Sequence, residues 1–241
     1  MKAEKQTLSP NGLIPHEDFP FVPYEAVHAK VVAEWSSVPS YHHYSGAWNA
    51  LAYRFHGSID AGAKFHKSLR DFGSHPAPHQ RYQQEEALFN FFSNGFAAFE
   101  ALFYGLFAIG SFIDADSFPL TTPKEQQRVS PSHTGNAFKR AFPQDLLLAT
   151  LSSFFNDPAY LRWREMRNVL THRAAPGRRI FVGIGAGDAP PVEWKLNDLA
   201  LDLTLVPEYQ RELAQLISSV LLALNVFLTT RVGSSHAKEP T

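Results

Sequence analysis

The most apolar stretch of the chain, residues 87–113, limits the choice of folds more than any other feature of the sequence. It reads ALFNFFSNGFAAFEALFYGLFAIGSFI and is long enough to cross a lipid bilayer as a helix. Asn90, Asn94 and Glu100 interrupt it, and it lacks the basic flanks that are typical of a membrane span. We therefore expect a central helix that is buried on nearly all sides in a bundle of other helices.

The composition favours an aromatic core around this helix. The chain has 20 Phe and only two Met, so rings must fill most of the interior. Gly95, Ala97, Ala98, Ala101 and Gly105 lie within the central segment, and such small residues allow neighbouring helices to approach closely. With 44% hydrophobic and 19% charged residues, the chain has the composition of a folded globular domain.

Three bulk properties exclude classes of function. There is no Cys, so disulfides, thiol nucleophiles and Cys-ligated zinc are ruled out. The net charge is −1, so binding of nucleic acid requires a local cationic patch. The first twenty residues lack the apolar core of a signal peptide, and we expect a cytoplasmic protein with no membrane partner.

The remaining segments predict an all-α helical bundle with a small β-ribbon inserted before the last helix. The pattern predicts a flexible arm over 1–22, one helical domain over 23–231 and a disordered tail over 232–241. Within the domain, helices are expected over 25–35, 46–72, 87–113, 135–141, 144–155, 158–173 and 207–231. A loop is expected over 114–135, and strands over 178–185, 192–196 and 199–206.

The segment RNVLTH, residues 167–172, carries the candidate chemistry. The spacing R-x4-H occurs four times in the chain, so spacing alone decides nothing. Only this copy lies inside a predicted helix with a clear start, at Asp157-Pro158. Steps of about 100° per residue place five polar residues on one face of that helix. They are Arg164, Arg167, Asn168, Thr171 and His172, and the opposite face carries Trp163, Met166 and Leu170.

Positive charge is concentrated around the same helix. Six arginines and one acid, Glu165, lie between residues 162 and 179. A phosphate-rich ligand requires such a patch in a chain whose net charge is close to zero.

A basic, capped helix that carries R-N-x-x-x-H near the end of an α-bundle resembles the HEPN domains, many of which are ribonucleases of prokaryotic defence and toxin–antitoxin systems. The resemblance covers about residues 80–231. It implies a metal-independent endoribonuclease that needs no cofactor and acts on RNA. It also implies a homodimer in which two such motifs line one cleft. The resemblance also implies a nucleotidyltransferase-type antitoxin as a partner.

The residue types suit this chemistry. An imidazole titrates near neutral pH, so His172 would act as general base or acid on the 2′-hydroxyl or the leaving oxygen. Arg167 would stabilise the charge on the pentacoordinate phosphate, because its planar guanidinium stays charged. Asn168 would orient one of these groups by hydrogen bonds. We expect Arg164, Thr171 and Arg173 to bind the substrate, and no metal to take part.

Other interpretations remain open for the same residues. Arg167 and His172 would also be favoured at the end of a helix by its macrodipole, and the arginines would pair with acids on neighbouring helices. The cationic face would equally bind RNA, a nucleotide or a protein without cutting it. Glu100 needs a partner if it is buried, and Arg164 or Arg167 would serve. That pair either holds the arginine for catalysis or is an internal ion pair alone.

Three further features rank lower. Six histidines lie between residues 42 and 79, but no HExxH or equivalent spacing accompanies them, so we expect surface or core histidines and no metal. GIGAG, residues 183–187, lacks the Lys of a phosphate loop and predicts a turn. A membrane-associated immunity or stress protein built on residues 87–113 is a third class of function.

Overall fold

Two long helices joined by a short turn form the centre of the protein. The computed structural model describes residues 12, 16–172, 176–179, 193–196 and 198–235, without the side chains of 179 and 232–235. Within these ranges the elements are α1 Phe21–Trp35, α2 Tyr41–Phe72, α3 Pro78–Ile113, α4 Pro123–Arg128, α5 Pro131–Ala141, α6 Leu147–Asn156, α7 Pro158–His172, β1 Gly177–Arg179, β2 Glu193–Leu196, β3 Leu199–Ala200 and α8 Leu205–Ser235. The predicted class, mainly α-helical with a small sheet before the last helix, is confirmed.

The central segment is buried as predicted. Phe91, Phe92, Phe99 and Phe103 of α3 are fully buried, and the aromatic core extends from them into α7 and α8. The Trp163 ring of α7 lies 5.2 Å from both the Phe91 and the Phe92 ring centroids. Aromatic rings therefore set the distance between α3 and its neighbours.

Two helices are long and apolar enough to cross a membrane when length and composition alone are considered. They are α3 and residues 205–231 of α8. In their most apolar windows, 61% and 44% of the residues are buried inside the protein, and the core helix of a soluble protein passes the same test. This finding is weak evidence about location in either direction.

Prolines explain where the helix boundaries differ from the prediction. The expected loop over 114–135 contains α4 and the start of α5, because Pro123 and Pro131 each occupy a first helical turn. A capping box between Thr122 and Glu125 closes the start of α4. Most of the arm expected over 1–22 lies outside the described residues, and α1 begins at Phe21.

A three-stranded antiparallel sheet in the order β1-β2-β3 precedes the last helix. The expected strand over 178–185 begins at Gly177, and most of that range lies outside the described residues. The expected strand over 199–206 is wrong beyond Ala200. There the Asp202 side chain accepts hydrogen bonds from the backbone N–H and the hydroxyl of Thr204, at 2.8 and 2.7 Å, and α8 starts at Leu205.

Candidate functional site

Helix α7 positions the candidate motif, and local signals determine where it starts. Asp157 Oδ1 accepts a hydrogen bond from the N–H of Ala159 at 2.8 Å, and Pro158 is the first helical residue, as predicted. The helix ends at His172. Arg167-to-His172 is thus the only R-x4-H segment that lies within one helix in the described part of the chain.

The two faces of α7 are divided much as the periodicity predicts. Its buried residues are Tyr160, Trp163, Met166 and Val169. Leu170, expected in the core, is half-buried and packs against it. The opposite face is polar and open to solvent.

A glycine allows α7 to approach α3 closely. A Cβ atom added at Gly95 would lie 2.2 Å from Cζ3 of Trp163 and 2.4 Å from its Cη2, far inside contact distance. The absence of a side chain at Gly95 therefore makes room for the Trp163 ring. This contact fixes how near the polar face of α7 lies to α3.

Arg167 is held by three neighbours. Its Nη1 donates to Oδ1 of Asn168 at 3.1 Å, and its guanidinium carbon lies 5.2 Å from the ring centroid of Phe96. Its Nη2 lies 3.7 Å from Oε1 of Glu100. The side chain of Arg167 is 29% exposed, so its guanidinium is oriented and still accessible to a ligand.

Glu100 pairs with Arg167, one of the two partners expected for it, but its side chain is not buried. Its side chain is 46% exposed, and an ion pair this open to water contributes about 0–1 kcal/mol to stability. The charge of Glu100 also acts on Tyr160, whose pKa is raised by burial first and by Glu100 to a smaller extent, while Arg164 opposes the shift. Glu100 therefore orients Arg167 more than it stabilises the fold.

The other predicted site residues lie along the same surface of α7. Asn168 is half-buried, whereas Arg164, Thr171 and His172 are exposed. The Arg164 guanidinium lies 6.0 Å from the Tyr160 ring centroid. Among the residues that the structure describes, none hydrogen-bonds the imidazole of His172. Arg173 lies outside the described residues.

The expected concentration of positive charge is smaller than the sequence indicates. Arg162 donates a hydrogen bond to Glu212 of α8, which neutralises its charge locally. Arg178 is only 2% exposed, pairs with Glu85 at 2.5 Å and stacks on the Trp194 ring at 3.8 Å. Arg178 is thus held in a buried ion pair, whereas Arg162 lies in a partly exposed pair with α8. Arg164 and Arg167 are the described arginines that remain on the candidate surface.

Side chains that no motif in the sequence indicated lie beside Glu100. Tyr104, one helical turn further along α3, contacts Nδ1 of His43 through its hydroxyl at 3.2 Å. Glu100 and Tyr104 also line one groove between α2 and α3. The i,i+4 spacing of Glu100 and Tyr104 can be read from the sequence, but the packing of α2 against α3 cannot.

The histidines of residues 42–79 do not converge. In the described ranges, no three side chains of His, Asp or Glu are placed to hold a metal ion together. His42 and His43 stack on each other with ring centroids 4.1 Å apart.

When compared with models of known families, with curated proteins and with solved structures, the chain gives no match.

Proposed function

We propose that the protein is a metal-independent endoribonuclease of the HEPN type that acts as a homodimer in the cytoplasm. One observation carries the proposal. Arg167 is fixed between Phe96, Asn168 and Glu100, and the exposed His172 lies in the last turn of the same helix. A fixed cation and a solvent-accessible imidazole on one rigid element are the groups that cleavage next to a 2′-hydroxyl requires.

The proposed reaction uses only these groups. His172 accepts the proton of the 2′-hydroxyl, the 2′-oxygen bonds to phosphorus, and the bond from phosphorus to the 5′-oxygen breaks. Arg167 stabilises the negative charge on the phosphate, and Asn168 keeps the guanidinium oriented. The leaving oxygen takes a proton from the partner's His172 in the dimer. The products are a 2′,3′-cyclic phosphate and a 5′-hydroxyl.

The dimer follows the resemblance to the HEPN domains, in which two such motifs line one cleft, and a general base is normally oriented by a second group. A second copy of α7 would supply that group. Arg164, Thr171 and Arg173 would bind the RNA strand. The resemblance to the family adds a nucleotidyltransferase-type antitoxin that regulates the enzyme in a defence or toxin–antitoxin setting.

The test is cleavage of labelled RNA by the purified protein in EDTA. His172→Ala and Arg167→Ala should each abolish cleavage and keep the helical circular dichroism spectrum. Arg70 and His75 form another exposed R-x4-H pair and serve as the matched control. The Arg70→Ala and His75→Ala variants should each cleave like the wild type. Glu100→Gln should fold normally and cut more slowly, because Arg167 loses its ionic contact.

Two results would contradict the proposal. A wild-type protein that leaves RNA intact in both EDTA and magnesium is not this enzyme. If that protein still bound RNA and lost binding in Arg167→Ala, the α7 face would be a binding surface without catalysis. Equal loss of cleavage in the Arg70 and His75 controls would place the activity outside α7.

A further inference from the structure

A groove of about 470 Å³ adjoins the Arg167–Glu100 pair, because Glu100 forms part of its lining. It runs between α2, α3 and the connection from α4 to α5. Small residues make up much of its lining, namely Gly46, Ala47, Ala50 and Ala101. The polar side chains that α3 contributes to it are Glu100 and Tyr104. The groove has room for a flat aromatic ligand with a polar edge.

The hydrogen bonds around His43 determine what Tyr104 offers. Gln126 Nε2 donates to the carbonyl oxygen of Leu120 at 3.2 Å, which identifies that atom as the amide nitrogen. The same nitrogen lies 3.4 Å from Nε2 of His43, which must therefore accept. Burial, helped by the charge of His42, lowers the pKa of His43 and so favours the neutral ring. Nδ1–H of His43 then donates to the Tyr104 oxygen at 3.2 Å.

This chain of donors leaves the Tyr104 O–H free to donate to a ligand. The hydroxyl stays protonated, because burial raises its pKa further above 10. One turn earlier on α3, the Glu100 carboxylate is an acceptor with two oxygens and is 46% exposed. The α3 side of the groove therefore presents one donor beside a pair of acceptors.

We propose that this groove binds the guanine base on the 5′ side of the cleaved phosphate. Guanine is the RNA base whose Watson–Crick edge has two adjacent donors, N1–H and N2–H, next to one acceptor, O6. The donors match the two oxygens of Glu100, and O6 matches the Tyr104 hydroxyl. Adenine, cytosine and uracil each offer a carboxylate only one donor group on that edge.

The position of Glu100 links the base to the phosphate. Its Oε1 lies 3.7 Å from Nη2 of Arg167, so the groove and the arginine that would bind the phosphate share one carboxylate. The inference rests on the proposed function, because it specifies which RNA the α7 site would cut. Cleavage is expected after guanosine in single-stranded segments, where the edge of the base is free.

Mononucleotide binding tests the groove without turnover. Guanosine 3′-monophosphate should bind the wild-type protein about tenfold more tightly than the adenosine, cytidine and uridine 3′-monophosphates, as one extra hydrogen bond to a charged group predicts. Inosine 3′-monophosphate lacks N2–H and should bind with intermediate affinity. Isothermal titration calorimetry gives all five constants. Tyr104→Phe and Glu100→Gln should each remove most of the preference.

Matched variants on the same helix serve as controls. Tyr82 and Glu86 are exposed residues of α3 outside this groove, so Tyr82→Phe and Glu86→Gln should keep the preference for guanine. Equal affinities for the four common nucleotides would overturn the inference, and so would a preference that Tyr104→Phe and Glu100→Gln leave intact. If the wild type cuts RNA without a base preference, the ribonuclease stands and the subsite is wrong. If it cuts nothing, the titration still decides the subsite.

Discussion

Replacing Gly95 by Ala tests whether the contact between α3 and α7 positions the candidate site. The new methyl carbon would lie 2.2 Å from Cζ3 of Trp163. Carbon atoms in contact are about 3.5 Å apart, so the two groups must separate by about 1.3 Å. The Trp163 ring is fully buried among Phe91, Phe92 and Tyr209 and has no free space to rotate into. Helix α7 must therefore shift away from α3.

The energetic cost follows from this geometry. Overpacking of a rigid core site costs about 3 kcal/mol at the upper end of the usual range. The higher helix propensity of Ala over Gly returns about 1 kcal/mol, which leaves a net loss of about 2 kcal/mol in the free energy of unfolding. A displacement of about 1 Å at Arg167 should also lower cleavage about 100-fold in the protein that remains folded.

Urea unfolding and single-turnover RNA cleavage measure the two effects. Gly46→Ala is the matched control for stability, because an added Cβ meets no atom within 4 Å there and should raise the free energy of unfolding by about 0.5–1 kcal/mol. Adding Trp163→Phe to Gly95→Ala shortens the ring and should recover part of the cleavage. If Gly95→Ala is as stable as Gly46→Ala, α7 is not held in place by this contact.

Two further predictions concern stability. Arg178→Ala should lower the free energy of unfolding by about 3 kcal/mol, the low end for breaking a buried ion pair, because Arg81 still contacts Glu85 at 2.9 Å. Arg81 is an exposed partner of the same Glu85 carboxylate, so Arg81→Ala should lower the free energy of unfolding by less than about 1 kcal/mol. Equal losses in Arg81→Ala and Arg178→Ala would contradict a structural role of the buried pair. Burial raises the pKa of Tyr209 to about 12, so its contribution is fully present below the unfolded pKa of about 10 and is lost as the pH rises to 12. Wild type should lose about 2 kcal/mol more than Tyr209→Phe between pH 8 and pH 12 in urea titrations, and an equal loss would refute the argument.

Local signals in the sequence were sufficient for the helix that carries the motif. Asp157 and Pro158 determine the start of α7 through contacts within one turn, so the sequence predicts it directly. Pro123 and Pro131 were ambiguous, because a proline fits a loop and a first helical turn equally well. The apolar residues after 199 also fit a strand or a helix, and the hydrogen bonds of Asp202 decide between them.

Contacts between distant segments account for what the sequence did not predict. The partnership of Glu100 and Arg167 followed from charge, but the exposure of Glu100 depends on the packing of several helices. Tyr104 and His43 are 61 residues apart, and only the approach of α2 to α3 brings them together. The charge of Arg178 was counted as available, because nothing near it in sequence indicates Glu85 as its partner.

The internal pairing of Arg162 and Arg178 has a consequence for how RNA binding would depend on ionic strength. Each phosphate neutralised on a single strand contributes a slope of about −0.7 to a plot of log affinity against log salt. With Arg164, Arg167 and the proposed RNA contact Arg173 as the cations, the slope per protomer would be about −2.1, far shallower than for proteins with extended basic surfaces. A protein of this kind gains little from long-range attraction to RNA. It would leave most cellular RNA unbound at physiological salt and select short segments by the fit of their bases.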